Sequence, residues 1–485
     1  MSSSNKTSAQ ASNNFVEKYY FPILIISLII PIFNLFYKLS LGTIQDWDEA
    51  RHGITAFEMI KNNNFLISTY GYKIDYYNFK PPLGMWMIAL SYKIFGYNLF
   101  SLRLFSTLSS FFTVLIVSKI LKDRISKLAS IVGLIILSTN YLFIIWHTGR
   151  TGDFDAGLTL LFTLLIYFLL KIDNSIKNFY IAGFIFSMAF LLKSYATLQI
   201  IAVVGLILLI TGKLFKITFK EYLIFFACSF IPIFIWAGLR YNFDGTKFLK
   251  SMITYDLLAR STSTIEGHSG SITYYLKYFV RNNYYITFYI AFIVPIYIFT
   301  NKLKINLQNN RFMKISILVW ALVPFILFSL SKSKLIWYIN GIYPALTILL
   351  AWMTNSLIKN KAVSSNLKYF VCFILISCSI CGEFSIVHKI NTSSMPASQN
   401  VLIDLKNKED LKNSTIYTDE WSQSNMFITE VLCNLNPKES SKDNFVNNKV
   451  KGLYLLNNSK TNRSFVHDKK CTVIMNNDDY IIIKQ

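Results

Sequence analysis

Apolar residues in this chain come in long unbroken blocks, and that alone removes most water-soluble folds from consideration. Runs such as Ile23–Phe33, Ala129–Thr139, Gly157–Leu170 and Ile200–Ile210 leave no polar face for water. A helix needs about 20 mostly apolar residues to cross about 30 Å of hydrocarbon. Several blocks reach that length once their aromatic flanks are included. Charged residues are 15% of the 485, where an ordinary soluble domain carries about 25%. We expect eleven spans, near residues 19–39, 99–121, 128–146, 157–170, 179–192, 195–211, 222–239, 283–300, 315–330, 337–353 and 369–386. The expected fold class is an all-α polytopic membrane protein of about 11 to 13 transmembrane helices, with a small α+β soluble C-terminal domain.

The net charge of +22 suggests nucleic acid at first sight. Its distribution points to a membrane instead. With the N-terminus inside, the short inner segments between these spans hold 17 Lys and Arg, and the short outer loops hold 4. Cytoplasmic loops retain Lys and Arg, so the asymmetry sets the orientation. Four polar stretches then share the outer side: 40–98, 147–156, 240–282 and 387–485. The expected division is a transmembrane domain over 1–386, with its large outer loop 40–98, and a soluble non-cytoplasmic domain over 387–485. In the latter, short β-type runs (Gly452–Leu456, Cys471–Met475, Tyr480–Ile483) alternate with Asn- and Lys-rich turns. Residues 1–14, rich in Ser and Asn, read as a disordered tail, and the first span as an uncleaved anchor. Cys433 and Cys471 both fall in the outer domain, where an oxidising compartment permits a disulfide and two thiols are the alternative.

Most of the chemistry-bearing residues sit in the first outer loop. Asp46-Trp47-Asp48-Glu49-Ala50-Arg51-His52-Gly53 is followed by Ala50, Ile54, Phe57 and Ile60 at helical spacing, which predicts a short amphipathic helix on the membrane surface. Asp46 and Glu49 have capping-box spacing and would start it. Asp48 has Arg51 and His52 three and four residues on, placing all three on one face. A carboxylate beside a cation stays ionised and can accept a proton, and a plain surface ion pair is the alternative. Lys80 precedes Pro81 and Pro82, which stiffen the backbone beneath it. It reads either as a ligand for a phosphate headgroup or as an interfacial lysine.

These residues resemble a known family. Asp48-Glu49-Ala50-Arg51, Tyr76-Tyr77-x-x-Lys80-Pro81-Pro82-Leu83 with Trp86, and Phe95-Gly96 leading to Arg103 occur in the order seen in the first outer loop of clan C (GT-C) glycosyltransferases. The pattern is similar to the dolichyl-phosphate-mannose-protein mannosyltransferase superfamily, nearest the bacterial aminoarabinose transferases that modify lipid A. His147-Thr148-Gly149-Arg150-Thr151-Gly152-Asp153-Phe154-Asp155 lies where the family carries a second acidic motif. Arg260 with Glu266-Gly267-His268-Ser269-Gly270 is similar to its fourth outer loop, and Ser331–Lys334 with Trp337-Tyr338 to the segment that closes the site. The likeness covers residues 19 to about 350 and leaves out the C-terminal domain.

The resemblance implies an enzyme that moves a sugar from a polyprenyl-phosphate carrier to a lipid A, other glycan, lipid or protein acceptor. The implied location is a plasma (bacterial inner) membrane, with the site facing the periplasm or exterior and no nucleic acid involved. Asp48 and Glu49 are implied as catalytic residues, Asp48 being the base and its direct displacement inverting the sugar. Lys80, Arg51, Arg260, Lys334 and Tyr338 are implied to hold the donor phosphate. Asp153 and Asp155 invite comparison with the paired metal-binding aspartates of nucleotide-sugar enzymes. On the outer face no nucleotide is expected, so they read as structural or acceptor-orienting residues, with a solvated loop as the alternative. Glu266 is grouped with them. In the aminoarabinose branch a Glu before the Lys-Pro pair and a fourth-loop His bind a metal ion. Here Phe79 takes the place of that Glu, so His268 keeps a divalent metal as an expectation with one partner missing, and no other cofactor is implied.

A lipid flippase would share the spans and basic inner loops. It would also bury ionisable residues at mid-membrane, where each costs about 2.5–3.5 kcal/mol. The predicted spans are nearly free of charge in their middles, and the ionisable residues cluster in the outer loops.

Overall fold

A computed structural model describes residues 15–259, 267–300, 311–419, 421–447, 450–468 and 471–484. Helices dominate, and local sequence sets many of their ends. Asn98 starts Leu99–Arg124 by accepting the Ser101 N–H at 2.9 Å. Ser126 and Ser364 do the same for Lys127–Ser138 and Ser365–Thr392, each satisfying a backbone donor that the first helical turn leaves without a partner. Leu99–Arg124 packs against Lys127–Ser138 and Asp155–Leu169. The latter packs in turn against Lys177–Lys193, which lies along Phe219–Asp244.

Among the described residues six helices are long and apolar enough to cross a membrane, or seven if Tyr274–Asn282 and Tyr284–Thr300, bent by 101°, form one span. Two of the eleven expected spans are shorter than anticipated: those near 19–39 and 128–146 are the helices Tyr20–Phe36 and Lys127–Ser138. That near 157–170 is the helix Asp155–Leu169, about as long as expected. The expected pair 179–192 and 195–211 falls in one apolar segment, Lys177–Ile210, interrupted by a 3-10 turn at Ser194–Thr197. A further apolar helix, Leu83–Phe95, stands inside what the sequence suggested was loop.

The helix Ser365–Thr392 runs through residue 387, where the sequence suggested the domain boundary, and leads into an α+β unit. Its five-stranded sheet has the order Asn436–Glu439, Thr415–Thr418, Leu453–Asn457, Tyr480–Lys484, Thr472–Asn476. The first three strands are parallel, and the last two pairings are antiparallel. The central strand Leu453–Asn457 buries Leu453, Tyr454, Leu455 and Leu456 in succession, as a strand covered on both faces does. Cys433 is buried with its thiol against the Leu402 carbonyl, and it forms no disulfide with Cys471.

This unit docks on the first outer loop. Ser424 donates its backbone N–H to Asp46 Oδ1 at 2.7 Å, so Asp46 caps the short C-terminal helix Gln423–Phe427 rather than its own. Phe427 is fully buried against Gly53, where a Cβ would meet its ring at 2.4 Å, and only glycine admits that approach. Glu430 faces Glu58 in the same interface, with Tyr72 beside both. Burial, then the neighbouring Glu58, pushes the Glu430 carboxyl up to about 8, and burial raises Glu58 as well. A carboxyl raised in the folded state contributes stability that is complete below its unfolded pKa near 4.5 and is lost as pH climbs through about 8. Thermal unfolding of the detergent-solubilised protein should therefore weaken between pH 5 and pH 8.5. Glu430→Gln should flatten that slope by an amount on the order of 3 kcal/mol. Equal slopes in the two proteins would remove the pair from the interface energetics.

Candidate active site

The helix Asp48–Lys61 forms the floor of the site. Its apolar stripe is where the periodicity placed it: Ala50, Ile54 and Phe57 are buried. The expected capping box is absent. Trp47 precedes the helix at φ 65° with no side-chain cap, Asp46 is taken by Ser424, and Glu49 reaches back to accept the Gln45 N–H at 2.8 Å.

Glu49, expected to be catalytic, is fully buried and works as a structural anchor. Its Oε1 accepts Arg103 Nε at 2.7 Å and the Gly152 N–H at 3.0 Å. The same guanidinium donates to the carbonyls of Leu39, Leu41 and Thr43 at 2.8–3.0 Å. One ion pair thus ties together the exit from the first helix, the site helix and the second acidic motif. Arg51 is likewise engaged: it holds Asp75 through two bonds of 2.8 Å and lies over the Tyr70 and Tyr77 rings. It therefore points away from the face that Asp48 shares with His52.

Asp48, the first residue of the helix, faces Lys80 across the loop at 2.8 Å. Burial opposes its ionisation, but Lys80, with help from His52 and Lys193, outweighs this and holds the carboxyl well below the usual range. His52 Nε2 stands 4.0 Å from the same oxygen. Burial, then the Lys80 charge, lowers the His52 pKa to about 4, so its ring is neutral. Its Nδ1 lies 3.1 Å from the Gly152 carbonyl and donates to it, leaving Nε2 as a bare lone pair. The ring is stacked on Phe154.

The second acidic motif completes the cluster. Asp153 is fully buried, with His147 Nδ1 3.0 Å from its Oδ2. Burial raises the Asp153 pKa, yet His147 carries it below the ordinary value. Burial lowers His147, and Asp153 more than restores it, to about 8. His147 has φ 46° and is stacked on Trp337 with 3.6 Å between ring centres, so the predicted closing segment does reach the site. Asp155 pairs with Lys193 at 2.5 Å. Lys193, at the end of the helix Lys177–Lys193, is buried in this ion pair. The sequence assigned no role in the site to His52, His147, Lys193 or Trp337, although His147 lies in the same motif as Asp153.

Other expected ligands stand elsewhere. Lys334 is buried and donates to the carbonyls of Phe328, Ser329 and Ser331 at 2.6–3.2 Å. It satisfies the end of the helix Arg311–Leu330, a common task for lysine. Tyr338 packs on Phe328. Arg260 and Glu266 lie outside the described residues. His268 joins the closing segment through its carbonyl, which accepts the Lys334 N–H at 3.0 Å. The metal site implied by resemblance does not fit here: Phe79, standing where the branch has Glu, packs on Phe248 and Tyr255 in an apolar cluster. Among the described residues the trio of carboxylate and imidazole groups near enough to share an ion is Asp48, His147 and Asp153, within 4.8 Å of one another.

A groove of about 670 Å³ is lined by Leu66, Pro82, Trp86, Leu191, Trp236 and Leu239 among others. Pro82 is two residues from Lys80, and Leu191 two from Lys193.

Residues 79–236 match the family described as dolichyl-phosphate-mannose-protein mannosyltransferase. The chain is 28% identical over 341 residues to an uncharacterized protein of Aquifex aeolicus (strain VF5), covering 70% of this chain and 74% of that one. It is 29% identical over 354 residues to the undecaprenyl phosphate-alpha-4-amino-4-deoxy-L-arabinose arabinosyl transferase of Wigglesworthia glossinidia brevipalpis, covering 70% of this chain but 59% of that protein. A similarly named transferase of Shewanella sediminis (strain HAW-EB3) is 28% identical, with 61% of its length covered. The chain thus spans about three fifths of these two transferases. Among solved structures, ArnT from Cupriavidus metallidurans bound to undecaprenyl phosphate superposes with a TM-score of 0.69 at 15% identity, over 96% of this chain and 98% of that one. At that identity the likeness is one of fold.

Proposed function

We propose that this chain, which is similar in sequence and fold to the aminoarabinose transferases, moves a sugar from a polyprenyl-phosphate donor to a lipid, glycan or protein acceptor. The observation that carries the reading is the Lys80–Asp48 pair, a cation among ionised side chains, with an apolar groove lined by Pro82, two residues from Lys80. A polyprenyl phosphate has that same polarity, an apolar tail ending in an anion. The asymmetry of Lys and Arg supports a site on the non-cytoplasmic face. Nucleotide sugars do not reach that face, so the donor there is carried by lipid.

In this reading Lys80 exchanges Asp48 for the donor phosphate. Asp48 then loses the cation that holds its pKa down and gains a negative neighbour, so donor binding itself makes it more basic. It takes the proton of the incoming hydroxyl as the acceptor oxygen bonds to the anomeric carbon. The carbon–oxygen bond to phosphate breaks, and its electron pair leaves on the phosphate. Lys80 faces the charge that develops there. One displacement with one base inverts the anomeric centre.

Purified protein given undecaprenyl-phosphate-linked 4-amino-4-deoxy-arabinose and a phosphorylated lipid acceptor should release undecaprenyl phosphate. Movement of the lipid between leaflets without release would favour the flippase. Lys80→Ala should raise the donor KM by about tenfold or more, the loss of one charge-assisted contact. An unchanged donor KM would take Lys80 off the phosphate.

A further inference from the structure

We propose that Asp48, His147 and Asp153 form a divalent metal site, suited by its oxygen-rich donor set to Mn2+. Their ligand atoms lie within 4.8 Å of one another, though they come from the site helix and from both ends of the second acidic motif. His147 Nδ1 and Asp153 Oδ2 are 3.0 Å apart, an ion pair while the imidazole is protonated. Two atoms that each bind one ion at about 2.1 Å, at right angles to one another, are separated by about 3.0 Å. The same spacing therefore lets both atoms take one ion once the imidazole proton has left.

A second observation points to the same place. His52 is fully buried, its Nδ1 is spent on the Gly152 carbonyl, and its Nε2 lone pair has no hydrogen-bond partner. That lone pair looks towards Asp48 from 4.0 Å. A bare imidazole nitrogen 4.0 Å from one of the three proposed ligands is a candidate fourth donor. Support from outside the donors is present too. Trp337 fixes the His147 ring, Phe154 fixes His52, and His147 is held at a left-handed φ of 46°, a strained conformation of the kind that clusters at functional positions.

Charge is consistent with the assignment. Lys193 matches Asp155, and Lys80 matches Asp48. His147 gives up its ring proton when Nδ1 takes the ion, and Asp153 is then the carboxylate left over. A divalent ion turns this surplus into one positive charge, which a donor phosphodiester would cancel. Asp48 gives Oδ1 to Lys80, leaving its second oxygen for the ion, and Oδ1 is free to take the acceptor proton once the donor phosphate has drawn Lys80 away. This site is separate from the one that the family resemblance implied at His268.

The test uses the full chain in detergent, stripped with EDTA and titrated with Mn2+ under electron paramagnetic resonance. One equivalent should bind, with nitrogen coupling from a histidine. Asp153→Asn and His147→Gln should each weaken it by more than about tenfold, while His268→Ala leaves it unchanged. Circular dichroism checks that the variants are folded. If Asp153→Asn is not, His147→Gln, on a more accessible side chain, decides the matter. No site tighter than about 1 mM, a site that survives in His147→Gln, or one lost in His268→Ala would overturn the proposal. Because binding is read without turnover, a protein that binds Mn2+ here and transfers no sugar would refute the proposed activity and leave the metal site standing.

Discussion

Asp48→Asn is expected to lower sugar transfer by about 10²–10⁴-fold while the protein stays folded and inserted. That is the range associated with loss of a positioned acid–base group. Asn keeps the shape of the side chain and can still accept from Lys80 at its oxygen, so the donor pocket persists. It cannot take a proton. The Lys80 ammonium also loses its counter-charge, and donor affinity should hold or improve even as turnover collapses. Steady-state kinetics that separate kcat from donor KM are the check. Wild-type turnover in Asp48→Asn would remove this carboxylate from the chemistry.

Its neighbour is expected to fail differently. Glu49→Ala strips the buried Arg103 guanidinium of its carboxylate partner, and leaving such a charge unpaired costs about 3–5 kcal/mol. Melting in detergent should drop steeply, and protease should cut near residues 39–43, where Arg103 holds three carbonyls. Replacing both partners with Met should recover much of the melting temperature, because a buried pair exchanged for apolar packing is often neutral. A single variant with unchanged melting would contradict the anchoring role. Adjacent residues of one motif are thus separable: Asp48 by rate, Glu49 by stability.

That separation also shows what the sequence could and could not disclose. The apolar blocks, the site helix and three strands of the C-terminal sheet were readable because each rests on local periodicity. The family resemblance, rather than spacing, brought Asp48 and Lys80 to one site, through the loop motif that carries both. Glu49 was misassigned because its role depends on Arg103, 54 residues away, and nothing local marks such a pair. The same holds for Lys193, which carries a snorkelling signature at a helix end yet is claimed by Asp155. Arg51 offered a free cation on paper, and Asp75 had already taken it. The expected capping box failed for a related reason. Asp46 had the right spacing, but a backbone N–H from the far end of the chain competed for it and won.

The bond from Ser424 to Asp46 joins residues 378 apart in sequence, and Phe427 presses on Gly53 beside it. A ribosome that has delivered every apolar helix has therefore still not delivered a finished wall of the candidate site. The helix bearing Asp48 waits, half covered, until the last few dozen residues emerge and fold over it. A chain cut short after the final apolar helix would insert normally and yet hold its first acidic motif loosely, so the C-terminal unit acts as the keystone of the earliest part of the site to be made.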